Sequence, residues 1–232
     1  MPVYRLPREV AFPDPREAEP AGLLAVGGDL SARRLIAAYA LGIFPWYSEG
    51  EPILWWSPDP RFVVEPAGFH CSRSLKKRLR SGRFRVTADE AFDAVVERCA
   101  KKRRPSQRGT WITADMKAAY ARLHRLGLAH SIEAWDEKGL AGGLYGVSLG
   151  GMFFGESMFA DRPDASKAAF ARLVESLLAW EFDLVDCQVE TDHLVSLGAH
   201  PMPRPEFLDR LDASLTKPTR RGKWTLDAAL PP

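Results

Sequence analysis

The chain has 232 residues, 46% hydrophobic and 27% charged, with 12 Phe, 7 Trp and 5 Tyr; this suffices for a buried core in one large or two modest domains and excludes a mainly disordered chain. No apolar run approaches the roughly 18 residues that cross a bilayer, the N-terminus shows no signal-peptide pattern, and three widely spaced cysteines (Cys71, Cys99, Cys187) point to a reducing compartment rather than a disulfide scaffold or zinc site, so a cytoplasmic protein is expected. The net charge of +2 conceals a basic block, residues 71–108, with 13 basic and 4 acidic side chains; such a block draws polyanions, phosphate backbones above all, unless it is a solvated face with no partner.

In chain order, residues 1–64 are rich in Pro and aromatics (FPDP, FPWY, WWSPDPR) and read as a small N-terminal domain of turns and short extended pieces. One helix is expected there, capped by Asp29 or Ser31 and stopped at Gly42. A second domain, 65–215, opens with a short helix capped by Ser72 or Ser74. Leu75 and Leu79 form its inner face, Arg73, Lys77 and Arg80 its outer one, and Gly82 its stop. Next come a basic helix from Asp89 to about Arg98 and an exposed loop, KKRRPSQRG, at 101–109. Thr113 caps a helix to Gly127, with Met116, Tyr120 and Leu123 on its apolar side. HSIEAW (130–135), LAGGLYGVSL (140–149) and GMFFGESMF (151–159) form an antiparallel meander. A long helix from Ala165 to Trp180, a strand at 183–188, and helices near 191–197 and 204–214 follow. The tail, 216–232, has no periodicity and is expected to be loose. The fold class is α+β. Its order of helix, three-stranded meander, helix, strand and helix is similar to that of N-acetyltransferase-like (GNAT-like) acyltransferases, with a mixed, largely antiparallel sheet flanked by helices; fold alone does not give function.

Strand alternation sorts the candidate residues. Met152, Phe154, Glu156 and Met158 are expected on one face of their strand, and Phe153, Gly155, Ser157 and Phe159 on the other. Glu156, among apolar side chains, is either satisfied by a buried Arg or backbone amides or kept for a cationic ligand; Gly155 leaves room for a close approach. Asp186 and Gln188 share a face at a strand's carboxyl end, a common place for a ligand, or they merely satisfy loop amides. Cys187 points the other way and is a poor nucleophile. GxxxxGK[ST], GxGxxG and HExxH motifs are absent, and the five His (70, 124, 130, 193 and 200) show no metal-ligand spacing. His193, near the strand end, reads as a helix-start residue satisfied by backbone. The turn ADRPDASKAAF holds two Asp where a CoA pyrophosphate would need bare amides. The element order suggests acyl transfer, yet the CoA cradle is poor.

GLLAVGGDLSARRLIAAYALGIFPWY (22–47), EPILWWSPDPR (51–61), GTWIT (109–113), HSIE (130–133), GGLYGV (142–147), GESMF (155–159), DASK (164–167), DCQ (186–188) and SLGAHPMPR (196–204) hold rare Trp and Pro at fixed positions. Through them the chain, from about residue 12 to 215, resembles the bacterial leucyl/phenylalanyl-tRNA–protein transferase family. The resemblance implies transfer of Leu or Phe, less readily Met, from aminoacyl-tRNA (Leu-tRNA, Phe-tRNA) to the N-terminal α-amine of proteins beginning with Arg or Lys, marking them for N-end rule degradation. It also implies a small N-terminal domain ahead of an acetyltransferase-like one. No cofactor, metal or membrane is expected, and the protein is expected to act as a monomer. The donor is already an activated ester, so a basic patch is needed and a CoA cradle is not.

By the same resemblance the catalytic set is Gln188, accepting a hydrogen bond from the attacking amine, Asp186, orienting or polarising that amide, and Glu156, holding the acceptor's cationic residue or ammonium. Leu144, Phe153, Met158, Phe170, Leu173, Leu177 and Val185 wall the aminoacyl pocket, plain core being the alternative for each. Trp111, Trp55 and Trp56 stack on the terminal adenine or join the two domains. Arg73, Lys76, Lys77, Arg80 and Arg83 meet the tRNA backbone, contacts that position without reading sequence. The basic run 101–104 strengthens tRNA binding or does nothing. A CoA-dependent N-acetyltransferase, a non-catalytic RNA-binding module and transfer to a cell-wall precursor are the competing readings.

Overall fold

The computed structural model describes residues 3–102 and 110–226. The N-terminal stretch forms β1 (Tyr4–Leu6), β2 (Leu23–Gly27), α1 (Ala32–Ala40), β3 (Phe44–Pro45) and β4 (Leu54–Trp56), in a sheet ordered β1-β2-β4-β3. The strands are short because Pro and Gly interrupt them. Ser31 caps α1 by accepting from the Arg34 amide, and Gly42 follows the helix end.

The second sheet takes β5 (Arg61–Val64), β6 (Arg85–Ala88), β7 (Ala129–Asp136), β8 (Gly139–Leu149), β9 (Met152–Ala160), β10 (Leu184–Gln188) and β11 (His200–Met202) in the order β11-β5-β10-β9-β8-β7-β6. Pairing is antiparallel except between β9 and β10. Around it lie α2 (Arg73–Arg80), α3 (Phe92–Lys101), α4 (Ala114–Arg125), α5 (Ala165–Ala179), α6 (Asp192–Val195) and α7 (Arg204–Leu215). The molecule is therefore α+β with a mixed, largely antiparallel main sheet. Helix α5 sits directly on β8, because a Cβ on Gly142 would stand 2.6 Å from the Ala165 Cβ. One apolar cluster runs from Leu24 and Trp55 of the small sheet to Tyr145 and Phe154 of the large one, so the two sheets share a core.

Four expectations change. β5, placed before the expected boundary at 64, pairs with β10 and β11, so the chain enters the large sheet by Arg61. Asp89 does not start a helix: it follows β6 at φ 55, its carboxylate accepts from the Ser131 and Trp224 amides, and α3 starts three residues later. There the buried Glu133 receives the amides of Glu90 and Ala91 ahead of the helix. The short edge strands β6 and β11 lack the length for a visible alternation. Finally, 216–226 is irregular but not loose: Trp224 is 1% exposed and Gly222 donates to the Gly127 carbonyl at 3.2 Å. Residues 227–232, and 103–109 of the basic loop, lie outside the described residues.

Candidate active site

A cavity of about 430 Å³ opens where the two sheets meet. Phe44, Pro45 and Trp46 close one side, Trp111 another, and Leu144, Phe153, Met158, Phe170, Leu173 and Val185 form its apolar wall. Glu156, Cys187, Gln188, Thr191 and His193 supply its polar lining. Such a cavity, apolar with a few convergent polar groups, is the usual form of a small-substrate site.

Two bulges create it. Tyr145 pairs with Ser157 and Gly146 with Gly155, which leaves Glu156 as the extra residue in β9. Parity therefore flips: Phe153 and Met158 come to one side while Phe154 and Phe159 join the opposite core. Glu156 stays on the Met152 and Phe154 side as expected, its carboxyl meeting Tyr39 and Tyr120 of that core, while Met158 crosses to the other face. In β10, Asp186 pairs with Val63 and Gln188 with Phe62, leaving Cys187 as the extra residue, and Gln188 turns to φ 66. Asp186 and Gln188 consequently do not share a face, and Cys187 borders the cavity. Burial pushes its thiol up, so the thiolate is suppressed.

The Glu156 carboxyl is buried and meets three side chains. Tyr39 Oη lies 2.7 Å from Oε1, Tyr120 Oη 2.6 Å from Oε2, and the two hydroxyls 2.6 Å from each other. With Glu156 ionised, both hydroxyls donate to it and the contact between them holds no proton. With Glu156 protonated, all three contacts are hydrogen bonds, since a third proton closes the ring. Burial acts in the same direction, pushing the carboxyl up to about 7, helped by the nearby Asp186 charge and opposed by donors from Tyr120, Tyr39 and Gln188. Burial likewise holds both tyrosines well above their usual range, so they stay neutral.

Gln188 Nε2 donates to Glu156 Oε1 at 3.1 Å, which fixes the carboxamide. Among the described residues nothing donates to Gln188 Oε1, the carboxamide's free acceptor. Asp186 is held differently from the expectation. Arg61 grips it with Nε at 2.8 Å and Nη2 at 2.7 Å, and the third bond comes from the Gln188 backbone amide at 2.9 Å. Asp186 thus shapes the turn that carries Gln188 and touches neither its side chain nor the cavity. Arg61 is in turn stacked between Phe44 and Phe207, 4.9 and 4.6 Å from their ring centres.

Six of the seven expected aminoacyl-pocket residues line the cavity. Leu177 does not: one turn beyond Leu173 on α5, it is fully buried in the core. Trp111 lines the cavity, but Trp55 is fully buried, its indole donating to the Gly27 carbonyl, and Trp56 donates to the Trp46 carbonyl outside the lining. Trp46, 37% exposed, lines the cavity where neither of that pair does. His193 follows the Thr191 cap and lines the cavity, but its buried Nε2 has no partner among the described residues, so it is not satisfied by backbone as expected; burial and Lys167 push its pKa down. Arg73, Lys76, Lys77, Arg80 and Arg83 are all exposed on or just after α2, with Leu75 buried beneath. Arg78 pairs with Asp164 and Arg98 with Asp161, so the acids of the turn before α5 are neutralised. Lys101 pairs with Glu97, and Lys102 donates to the Ala160 carbonyl. Arg61 and Tyr39 lie inside the stretches 51–61 and 22–47, and Tyr120 on the apolar side of its helix, but none was singled out for the site; the signal for them was the need of a buried Asp for a cation and of a buried tyrosine hydroxyl for a partner.

Residues 63–212 match the family described as leucyl/phenylalanyl-tRNA protein transferase, and 28–59 match its N-terminal domain. The chain belongs to the leucyl/phenylalanyl-tRNA–protein transferase family. It is 66% identical to the member from Anaeromyxobacter sp. (strain Fw109-5), over 98% of this chain and 97% of that one, and 56% identical to the Myxococcus xanthus member over the full length of both. The solved structure of a functionally unknown conserved protein from Staphylococcus epidermidis superposes with TM-score 0.43 and 10% identity, over 78% of this chain and 68% of that one. Both family matches contribute to the site: the N-terminal one contains Tyr39 and Trp46, the longer one Trp111, Glu156 and Gln188.

Proposed function

We infer that the protein transfers Leu or Phe from aminoacyl-tRNA to the N-terminal α-amine of proteins beginning with Arg or Lys. The observation that carries this reading is a carboxamide, Gln188, locked by Glu156 with its oxygen free at the edge of an apolar cavity. The donor side chain occupies that cavity. Pockets of this kind distinguish a methylene by only about 1–3 kcal/mol, so Leu, Phe and Met are all acceptable and Leu or Phe preferred. Trp46 and Trp111 offer faces for the terminal adenine, and the exposed cations of α2 take the acceptor-stem phosphates.

The neutral α-amine attacks the ester carbonyl carbon, a C–N bond forms, and the bond to the ribose oxygen breaks. Proton balance is simple: the departing ribose oxygen gains the proton that the amine loses. An α-amine has a pKa near 7.7–8.0, so a useful fraction is neutral at working pH. Gln188 Oε1 accepts from the amine and orients its lone pair, a positioning effect of the kind that lowers such barriers most. Glu156 anchors Gln188 and provides the negative charge, when ionised, that attracts the acceptor's cationic residue or ammonium. Asp186 and Arg61 hold the turn.

The antiparallel run β6–β9, followed by α5 and the parallel β10, supports an N-acetyltransferase-like arrangement of the large unit. Among the described residues no helix is long and apolar enough to cross a membrane.

The reading is tested by transfer of labelled Leu from Leu-tRNA to a protein starting with Arg, beside one starting with Ala, for wild type and Gln188→Ala. Label confined to the Arg protein and reduced by a factor of ten or more, on the order of 1.4 kcal/mol, in the variant is expected. No transfer by folded wild type that binds the tRNA overturns it. Asp186→Ala is the poorer probe, since it leaves the Arg61 guanidinium buried and unpaired, a loss of about 3–5 kcal/mol in stability.

A further inference from the structure

The family match ends at residue 212, and the chain beyond α7 crosses one end of the large sheet as a strap, over the residues before β7 and β10, the β8–β9 turn and the end of β6. Lys217 Nζ meets Asp183 Oδ1 at 2.6 Å, the Gly150 amide donates to Thr219 Oγ1 at 2.9 Å, Gly222 donates to the Gly127 carbonyl at 3.2 Å, and the Trp224 amide donates to Asp89 Oδ2 at 2.7 Å. These bonds deliver one side chain into the interior. The Trp224 indole stacks on His130 at 3.8 Å and meets Trp180, Phe182 and Phe153 at 4.9, 6.0 and 5.9 Å. Its Nε1 donates to the Arg220 carbonyl within the strap.

Phe153 is the contact that matters for the site. Its ring lies across Gly146, where a Cβ would stand 2.6 Å from Cζ, and it lines the cavity. The ring is therefore held between a strand that has no side chain at that point and an indole supplied by the C-terminal strap. We propose that the strap is a specificity element: Trp224, which does not itself line the cavity, sets the depth of the aminoacyl pocket by fixing Phe153. The proposal rests on reading the cavity as the donor side-chain pocket. Replacing the indole by a small side chain leaves space behind Phe153. Interiors are close-packed and neighbours relax part of the way into such a space; of the rings around the indole, Phe153 is the one that also lines the cavity. Phe153 retreats, the pocket deepens, and the larger donor gains on the smaller.

Phe-tRNA and Leu-tRNA competing for one acceptor that starts with Arg measure this directly, because the ratio of the two kcat/KM values does not depend on how much enzyme is folded. The variants are Trp224→Ala, Trp224→Phe and Leu173→Ala, the last altering the cavity wall itself. Trp224→Ala is expected to raise the Phe-to-Leu ratio about fivefold or more, on the scale of a methylene or two in an apolar pocket, and Trp224→Phe by less in the same direction. Should Trp224→Ala not fold, Trp224→Phe decides. An unchanged ratio in the Trp224 variants, with Leu173→Ala shifting it, overturns the strap's role and leaves the pocket reading standing. An unchanged ratio in Leu173→Ala as well means that the cavity does not hold the donor side chain, and both fall.

Discussion

Glu156 releases its proton near 4.5 when exposed and near 7 in the fold. Between those values the folded protein binds one proton that the unfolded chain has lost. Stability therefore falls as pH rises through that window and is level on either side. The full change is on the order of 3 kcal/mol. Glu156→Gln keeps the shape and removes the titration, so the difference in unfolding free energy between wild type and variant should slope from about pH 4.5 to about 7 and flatten beyond. Urea unfolding across that range measures it. A flat difference curve would mean that the carboxyl titrates like an exposed one and that the ring with Tyr39 and Tyr120 does not hold its proton.

At the scale of elements, helix α2 makes the cleanest case for tRNA contact. Only Leu75 is buried on it, while Arg73, Lys76, Lys77 and Arg80 reach solvent. Alanine at any one of these should weaken tRNA binding evenly across tRNA species and lower the log–log salt slope by about 1, with stability changed by less than about 0.5 kcal/mol. Arg78→Ala should leave the slope alone, because Arg78 is already paired with Asp164. Filter binding at several salt concentrations separates the two classes. The same helix was legible in the sequence, with its cap narrowed to Ser72 or Ser74, as were α1, α4, α5 and the β7–β8–β9 meander, because each has a full period. What alternation cannot show is a bulge. One extra residue at Glu156 and another at Cys187 reverse the facing of everything beyond them, and both lie in the site. Leu177 illustrates a related limit: helical spacing places it on the face of Phe170 and Leu173, but the cavity ends one turn earlier. Trp224 carried no period at all; its burial depends on partners that are distant in sequence.

For the molecule as a whole, the site is the joint between its two units. Tyr39 comes from α1 beside the small sheet, Tyr120 from α4 and Glu156 from β9, and the cluster around them continues from Trp55 to Phe154. A core without a seam does not open along one. Unfolding followed by tryptophan fluorescence and by far-ultraviolet circular dichroism should therefore coincide in a single transition. Tyr39→Phe and Tyr120→Phe should each lower stability by about 1–2 kcal/mol, the loss of one hydrogen bond in a buried network. Together they should lower it by clearly less than the sum, with a coupling of about 0.5 kcal/mol or more, because the first substitution already opens the ring. Two separate transitions, or strictly additive losses, would mean that the units fold independently and that the hydroxyls bind Glu156 one by one. Coupled losses would make assembly of the joint the same event as assembly of the proposed catalytic groups, so that a chain with a misplaced N-terminal unit loses the Glu156 anchor that orients Gln188.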